Sequence, residues 1–168
     1  MALPRTLKNF TLQVDGKGFA GRITELTLPT LTVTTEDFRA GGMDAPAQID
    51  TGMEALEASF TLAEYDPEVL KLFGLTIQNA VRLVARGALQ RNGEAAVPIT
   101  VTMNGHVKEF DPGSWSAGEM TEASFTCGLR YYRLDIDGST IHEVDVEGME
   151  RKVNGVDQLA TIRTAMGI

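Results

Sequence analysis

Two histidines, a single cysteine and an excess of carboxylates are the residues here whose types could support catalysis or metal binding. His106 and His142 lie far apart, with no second ligand at metal-site spacing, so both read as structural or solvent-facing side chains. Cys127 sits in the alternating run "ASFTCGLRYY" and reads as a small buried hydrophobe. A lone cysteine excludes an intrachain disulfide and a cysteine-built zinc site, and no G-x-S-x-G is present. "DIDG", Asp135 to Gly138, lacks the closing glutamate of a calcium loop and reads as a hairpin turn. "GKG", Gly16 to Gly18, lacks the spacing and the Ser or Thr of a phosphate-binding loop. Two carboxylates could meet as the acid and nucleophile of a glycosidase, but their spacing assigns no such pair. This inventory points to no enzyme, no metal and no cofactor.

The elements that would position any site are mostly strands. Asp15-Gly16, Asn92-Gly93, Asn104-Gly105, Asp137-Gly138 and Asn154-Gly155 are pairs that tolerate the positive φ of two-residue hairpin turns. Val97, Ile99, Val101 and Met103 alternate with polar residues up to Asn104, which predicts a hairpin folded at Asn104-Gly105. The same alternation marks Phe10 to Val14, Leu56 to Leu62 and Val81 to Leu89. "ASFTCGLRYYRLDI", Ala123 to Ile136, is long for a strand and carries apolar groups on both parities, the pattern of a strand covered on both faces.

Two segments break the period. Asp66 can cap a helix, Pro67 fits its first turn, and Val69, Leu70, Leu72 and Phe73 form a stripe ended by Gly74, predicting a short helix over 66–73. Leu159, Ile162 and Met166 predict a second helix over 156–166, with both helices packed on the sheet. No linker, low-complexity or repeated segment divides the chain. Its 168 residues read as one domain, mainly β, an antiparallel barrel or sandwich with two small helices.

Composition narrows the partners. A net charge of −8 is unsuited to wrapping nucleic acid through a basic surface. No window approaches the ~20 apolar residues of a membrane span, and "MALPRTLKNF" lacks a signal-peptide core. The expectation is cytoplasmic folding without stable membrane association. "FRAGGMDAPAQIDTGMEALEASF", Phe38 to Phe60, is a soft, apolar insertion between two strands, about a dozen residues of it reading as loop. Phe38, Met43, Ala45, Pro46, Ala47 and Ile49 suit an arm lying on another subunit, with Gly41 and Gly42 as its pivot. A surface Ω-loop is the other reading. Trp115, in "DPGSWSAGE", sits at a loop tip, either tucked under its own hairpin or used at an interface.

Taken together, "LTLPTLTVTTEDFRAGGMDAPAQIDTGMEALEASF", "FGL", "DPGSWSAGE", "YYRLDIDG" and "NGVDQLATIRTAMGI" resemble the major tail tube proteins of contractile-tailed bacteriophages and R-type pyocins. The resemblance covers essentially the whole chain, in order. It implies a fold similar to the type VI secretion tube protein, with subunits closed into hexameric rings that stack into a hollow tube inside a sheath. Phe38, Arg39, Ala40, Gly41, Gly42, Met43, Asp44, Ala45, Pro46, Ile49 and Asp50 would then form an interface arm. The implied partners are further copies of the chain, the tail sheath, and baseplate, tail terminator and tape-measure proteins. DNA would pass through the lumen without specific binding, and the location would be the virion tail or a phage-tail-like particle, assembled in the bacterial host cytoplasm. Glu57, Asp135, Asp137, Glu143 and Asp145 are candidates for a lumen wall that repels DNA. A type VI tube subunit and a monomeric β-barrel binding protein are the alternatives.

Overall fold

Alternating side chains and tight glycine turns build most of the chain into antiparallel strands. The structure is a computed structural model describing residues 3–75 and 80–168. In chain order the strands are β1 (Thr6–Val14), β2 (Lys17–Gly18), β3 (Ile23–Thr27), β4 (Val33–Phe38), β5 (Ala47–Met53) and β6 (Leu56–Leu62). After helix α1 (Pro67–Leu70) come β7 (Val81–Gln90), β8 (Val97–Asp111), β9 (Ala123–Ile136), β10 (Ser139–Asp145), β11 (Glu150–Val153) and β12 (Val156–Asp157). Helix α2 (Ala160–Met166) follows.

The large sheet runs β12-β11-β10-β9-β8-β7-β1-β2, and β3 joins it through β6, which pairs with β9. β9 explains the branch. Its first half, Ala123 to Leu129, pairs with β6, its second half, from Tyr131, pairs with β10, and β8 follows it on the other side. β9 thus takes two partners along one edge, β6 and then β10, and the sheet branches there over one core. Phe60 stacks on Phe125 with centroids 5.1 Å apart, and Phe110 approaches Phe125 at 5.2 Å. Leu12, Leu83, Met103 and Val107 close the same core.

The apolar groups on both parities of β9 have a cause other than two covered faces. Ala123, Phe125, Cys127 and Leu129 are buried in strict alternation, then burial moves to Tyr132. Asn104 pairs with Tyr131 and Gly105 with Leu129, so Arg130 is an extra residue on β9. A bulge of this kind shifts the inward phase by one and bends the strand. Here it falls where β9 changes its edge partner from β6 to β10.

The expected hairpin at Asn104-Gly105 does not form. β8 runs unbroken from Val97 to Asp111. Gly105 serves a close approach instead: a Cβ there would lie 2.1 Å from the Gly128 carbonyl oxygen. Only glycine lets the strands meet so closely at the bend. Asp15-Gly16, Asp137-Gly138 and Asn154-Gly155 are turns with positive φ at both residues, as type I′ geometry requires. Asn92-Gly93 is also a turn, with positive φ at Gly93.

α1 begins where its sequence signals place it but spans only Pro67–Leu70, short of the 66–73 expectation, with Lys71 as its C-cap. The Asp66 carboxylate accepts from the Glu68 amide at 2.9 Å, Pro67 begins the helix, and Gly74 takes φ +73° after it. Asp66 also pairs with Lys17 at 2.9 Å and Arg22 at 3.4 Å, which ties the helix to the β2 hairpin. α2 is shorter than the 156–166 expectation, because Val156 and Asp157 pair with β11. The Asp157 carboxylate accepts from the Arg151 and Leu159 amides, fixing that strand ahead of the helix. Nor is α2 packed by a buried face: Ile162 and Met166 are more than half exposed. Arg163 holds it, donating to the Met149 carbonyl at 2.7 Å and pairing with Asp157 at 2.6 Å.

Candidate assembly surfaces

The residues with catalytic potential are dispersed. Cys127 is buried in β9, and desolvation pushes its thiol up to about 12, far from a nucleophile's range. His106 lies on β8 beside Gly128, and His142 lies on β10 opposite Val153. No group of three or more His, Cys, Asp or Glu side chains is placed to hold a metal among the described residues. Asp135 accepts from Arg133 and Thr140 at the head of the "DIDG" turn. The arm, by contrast, is exposed from Val33 to Gly52 save for half-buried Met43.

That segment is a β-hairpin, more ordered than the loop its composition suggested. β4 and β5 form a separate two-stranded sheet in which Glu36 faces Ile49 and Phe38 faces Ala47. Every residue of β4, and of β5 up to Gly52, is exposed. Residues directly opposite share a face, so Phe38, Ala47 and Ile49 form an apolar side, with Glu36 at its margin. Thr35, Asp37, Gln48 and Asp50 form the polar side. Phe38 is 54% exposed and Ile49 50%.

The two glycines belong to the tip. Met43 donates its amide to the Ala40 carbonyl, Arg39 donates to the Met43 carbonyl, and Gly42 takes φ +88°. Asp44, Ala45 and Pro46 complete the exposed crossing to β5. The glycine placed to orient the arm is Gly52 at its root, with φ +127° and its amide donated to Asp50 at 2.8 Å. Asp50 in turn pairs with Arg151 of β11 at 2.8 Å. The Arg151 guanidinium holds the Asp50 carboxyl below its usual range, with the Gly52 amide adding to the effect. The polar side of the hairpin thus looks towards the body through Asp50, while Phe38 and Ile49 on the apolar side stay exposed among the described residues. Two-stranded hairpins are marginally stable alone in water, so an arm of this kind is suited to a neighbour.

At the arm's root lies a groove of about 800 Å³ between β5, β10, β11 and α2, walled by Met53, Leu129, Val144, Met149 and Ile162. Asp50, Glu150, Arg151 and Arg163 stand at its margin, engaged in ion pairs with partners on the same chain. Trp115 stands elsewhere, in the loop after β8, and is 79% exposed. Its Nε1 donates to the Tyr65 hydroxyl at 2.8 Å, and that hydroxyl donates to the Pro112 carbonyl. The indole is oriented by its own chain yet stays uncovered.

Of the candidate lumen acids, the structure gathers three. On the sheet face opposite the core, Asp135, Glu143 and Asp145 share rows with Arg86, Arg133 and Arg82. Asp137 lies in the β9–β10 turn, and Glu57 lies on β6, paired with Lys108. Sequence reasoning assigned no role to the cations of this face, because their common side emerges only from the strand register.

By architecture the chain is similar to the tubes of contractile injection systems. It matches a chain of the sheath–tube complex of an extracellular contractile injection system, PVC, in the extended state, with TM-score 0.62 at 11% identity, over 79% of this chain and 91% of that one. A chain of the anti-feeding prophage baseplate matches with TM-score 0.53 at 15% identity, over 80% of this chain and 97% of the other. The sequence likeness is closer. The tail tube protein of Escherichia phage P2 is 36% identical over 173 residues, with both chains fully covered. The major tail tube protein of Serratia phage KSP20 is 33% identical over 157 residues, 92% of this chain and 91% of that one. With the phage tail tube protein FII family matched over residues 4–167, the chain belongs to that family.

Proposed function

We propose that this chain, as a single domain over 1–168, closes into homohexameric rings that stack into the inner tube of a contractile phage tail or phage-tail-like particle. The observation that carries the reading is the β4–β5 hairpin, a ribbon exposed up to Gly52 whose apolar side, Phe38, Ala47 and Ile49, stands open to solvent. Phe38, Arg39, Ala40, Gly41, Gly42, Met43, Asp44, Ala45, Pro46, Ile49 and Asp50 act as the arm of that assembly. Open strand edges invite uncontrolled pairing, and ring closure satisfies them in an ordered way. The sheath packs outside the tube, and baseplate, terminator and tape-measure proteins meet its ends or lumen. The sheath, terminator and baseplate partners are supported by proteins of similar fold from sheath–tube, terminator and baseplate assemblies. DNA passes without specific binding, the subunit performs no catalysis, and assembly occurs in the host cytoplasm.

Deleting Gly41 to Ile49 tests the arm. The hairpin forms its own sheet, so its removal leaves the strand pairings of the large sheet intact. The expected product is a folded subunit that sediments as a monomer where the full chain forms tubes. Tubes of ordinary diameter from the deletion would refute the arm's role.

A further inference from the structure

One inward-facing row of the large sheet ends on a charge. Val14, Leu83, Met103, Tyr132 and Val144 stand opposite one another across β1, β7, β8, β9 and β10, and all five are buried. The next position, on β11, is Arg151, which pairs with Val144. Residues directly opposite share a face, so the parity that favours another apolar group there meets a guanidinium instead. Its side chain is only 17% exposed, and a cation so far out of water needs a counter-charge. Among the described residues the carboxylate paired with it is Asp50, on β5 of the arm, at 2.8 Å.

Asp50 makes two connections at once. Its Oδ2 accepts from Arg151 Nη2, and its Oδ1 accepts from the Gly52 amide at 2.8 Å. Gly52 is the joint of the arm. Thr34 pairs with Gly52 and Thr35 with Asp50, so Thr51 is an extra residue on β5, and Gly52 takes φ +127° beside it. A bulge next to a glycine of this conformation bends a ribbon and sets its direction. The hairpin forms no strand pairs with the large sheet. One carboxylate therefore fixes both the joint and the position of the ribbon against β11. Phe38 and Ile49 stay open to solvent in this position, so the pair holds the arm in a form able to dock rather than one folded onto its own chain.

Resting on the assembly role of the arm given above, we propose that Arg151 is a positioning residue, which acts through Asp50 to set the direction in which the arm leaves the subunit before any neighbour is met. An arm held in its docking direction gives up less freedom on binding. A freely swinging arm binds only in proportion to the time it spends in that direction. One partly exposed charge pair changes such a fraction by up to about fivefold.

The test places nitroxide labels on the full chain at Asp44→Cys on the arm and Glu25→Cys on β3, both exposed positions, while the buried Cys127 stays unlabelled. Pulsed electron paramagnetic resonance, at a concentration where sedimentation shows monomer, reads the distance distribution. Electron microscopy of the unlabelled variants reads the concentration at which tubes form. Asp50→Asn and Arg151→Gln are each expected to broaden a single narrow distribution and to raise the assembly concentration by about fivefold. The double variant should go no further than either, because two residues acting as one pair are non-additive. A general loss of stability would lower the melting temperature without broadening the distances. If Arg151→Gln does not fold by circular dichroism, Asp50→Asn, on the exposed ribbon, decides alone. Unchanged distances, or broadened distances with tubes at the wild-type concentration, overturn the positioning role and leave the tube reading standing. Wild type that forms no tubes overturns the tube reading, and the distances in the monomer still decide whether Arg151 directs the arm.

Discussion

Replacing Gly105 with alanine should loosen the bend at which the large sheet branches. The new Cβ would lie 2.1 Å from the Gly128 carbonyl oxygen and 2.9 Å from the Leu129 Cα, against an ordinary contact of 3.4–4 Å. Both neighbours are backbone, so no side-chain rotation relieves the clash, and β8 must move from β9 by roughly 1 Å. Overpacking strain of about 1–3 kcal/mol and one weakened ladder hydrogen bond of about 1 kcal/mol give a loss near 3 kcal/mol. For a chain of this length that corresponds to a fall in melting temperature of about 6–12 °C. The assay is thermal circular dichroism at a concentration where sedimentation shows monomer, because assembly would mask the loss by mass action. Gly18→Ala is the control: nothing lies within 4 Å of its added Cβ, and the change should stay within about 0.5 kcal/mol. A Gly105→Ala variant melting within about 2 °C of wild type would refute the close approach.

Asp66→Ala removes a helix cap and two ion pairs from a carboxylate only 6% exposed, and should cost about 2 kcal/mol near pH 7 in a denaturant titration. The hydrogen bond from Lys17 leads in holding the Asp66 carboxyl below its usual value, so its contribution is full above the unfolded value of ~3.9. It is lost as pH falls through the folded value, and the gap between wild type and variant should close below about pH 4. For Trp115, burial on assembly should shift its fluorescence to shorter wavelength as tubes form. An unchanged spectrum would place it on a surface that stays wet in the tube.

Local rules made some of this legible and long-range register hid the rest. Asp15-Gly16, Asp137-Gly138 and Asn154-Gly155 announced real turns, because each closes a hairpin whose strands lie on either side in sequence. Asn104-Gly105 carries the same signal, but the contact that needs its glycine is with Gly128, which local reading cannot reach. The start of the helix at Pro67 was legible because its cap and proline are local. α2 was overextended because the pairing of Val156 with Val153 competes with helical spacing. Phe38 and Ile49 marked the arm as apolar, yet only the pairing of β4 with β5 puts them on one side. The common face of Arg82, Arg86, Arg133, Asp135, Glu143 and Asp145 was equally hidden, since only the strand register puts them in shared rows.

Negative-stain electron microscopy of the purified chain over a concentration series tests the central claim most directly. Hollow rings or tubes of uniform diameter, increasing with concentration, are the predicted result. Monomers at every concentration, persisting after addition of a purified baseplate as nucleus, would contradict it.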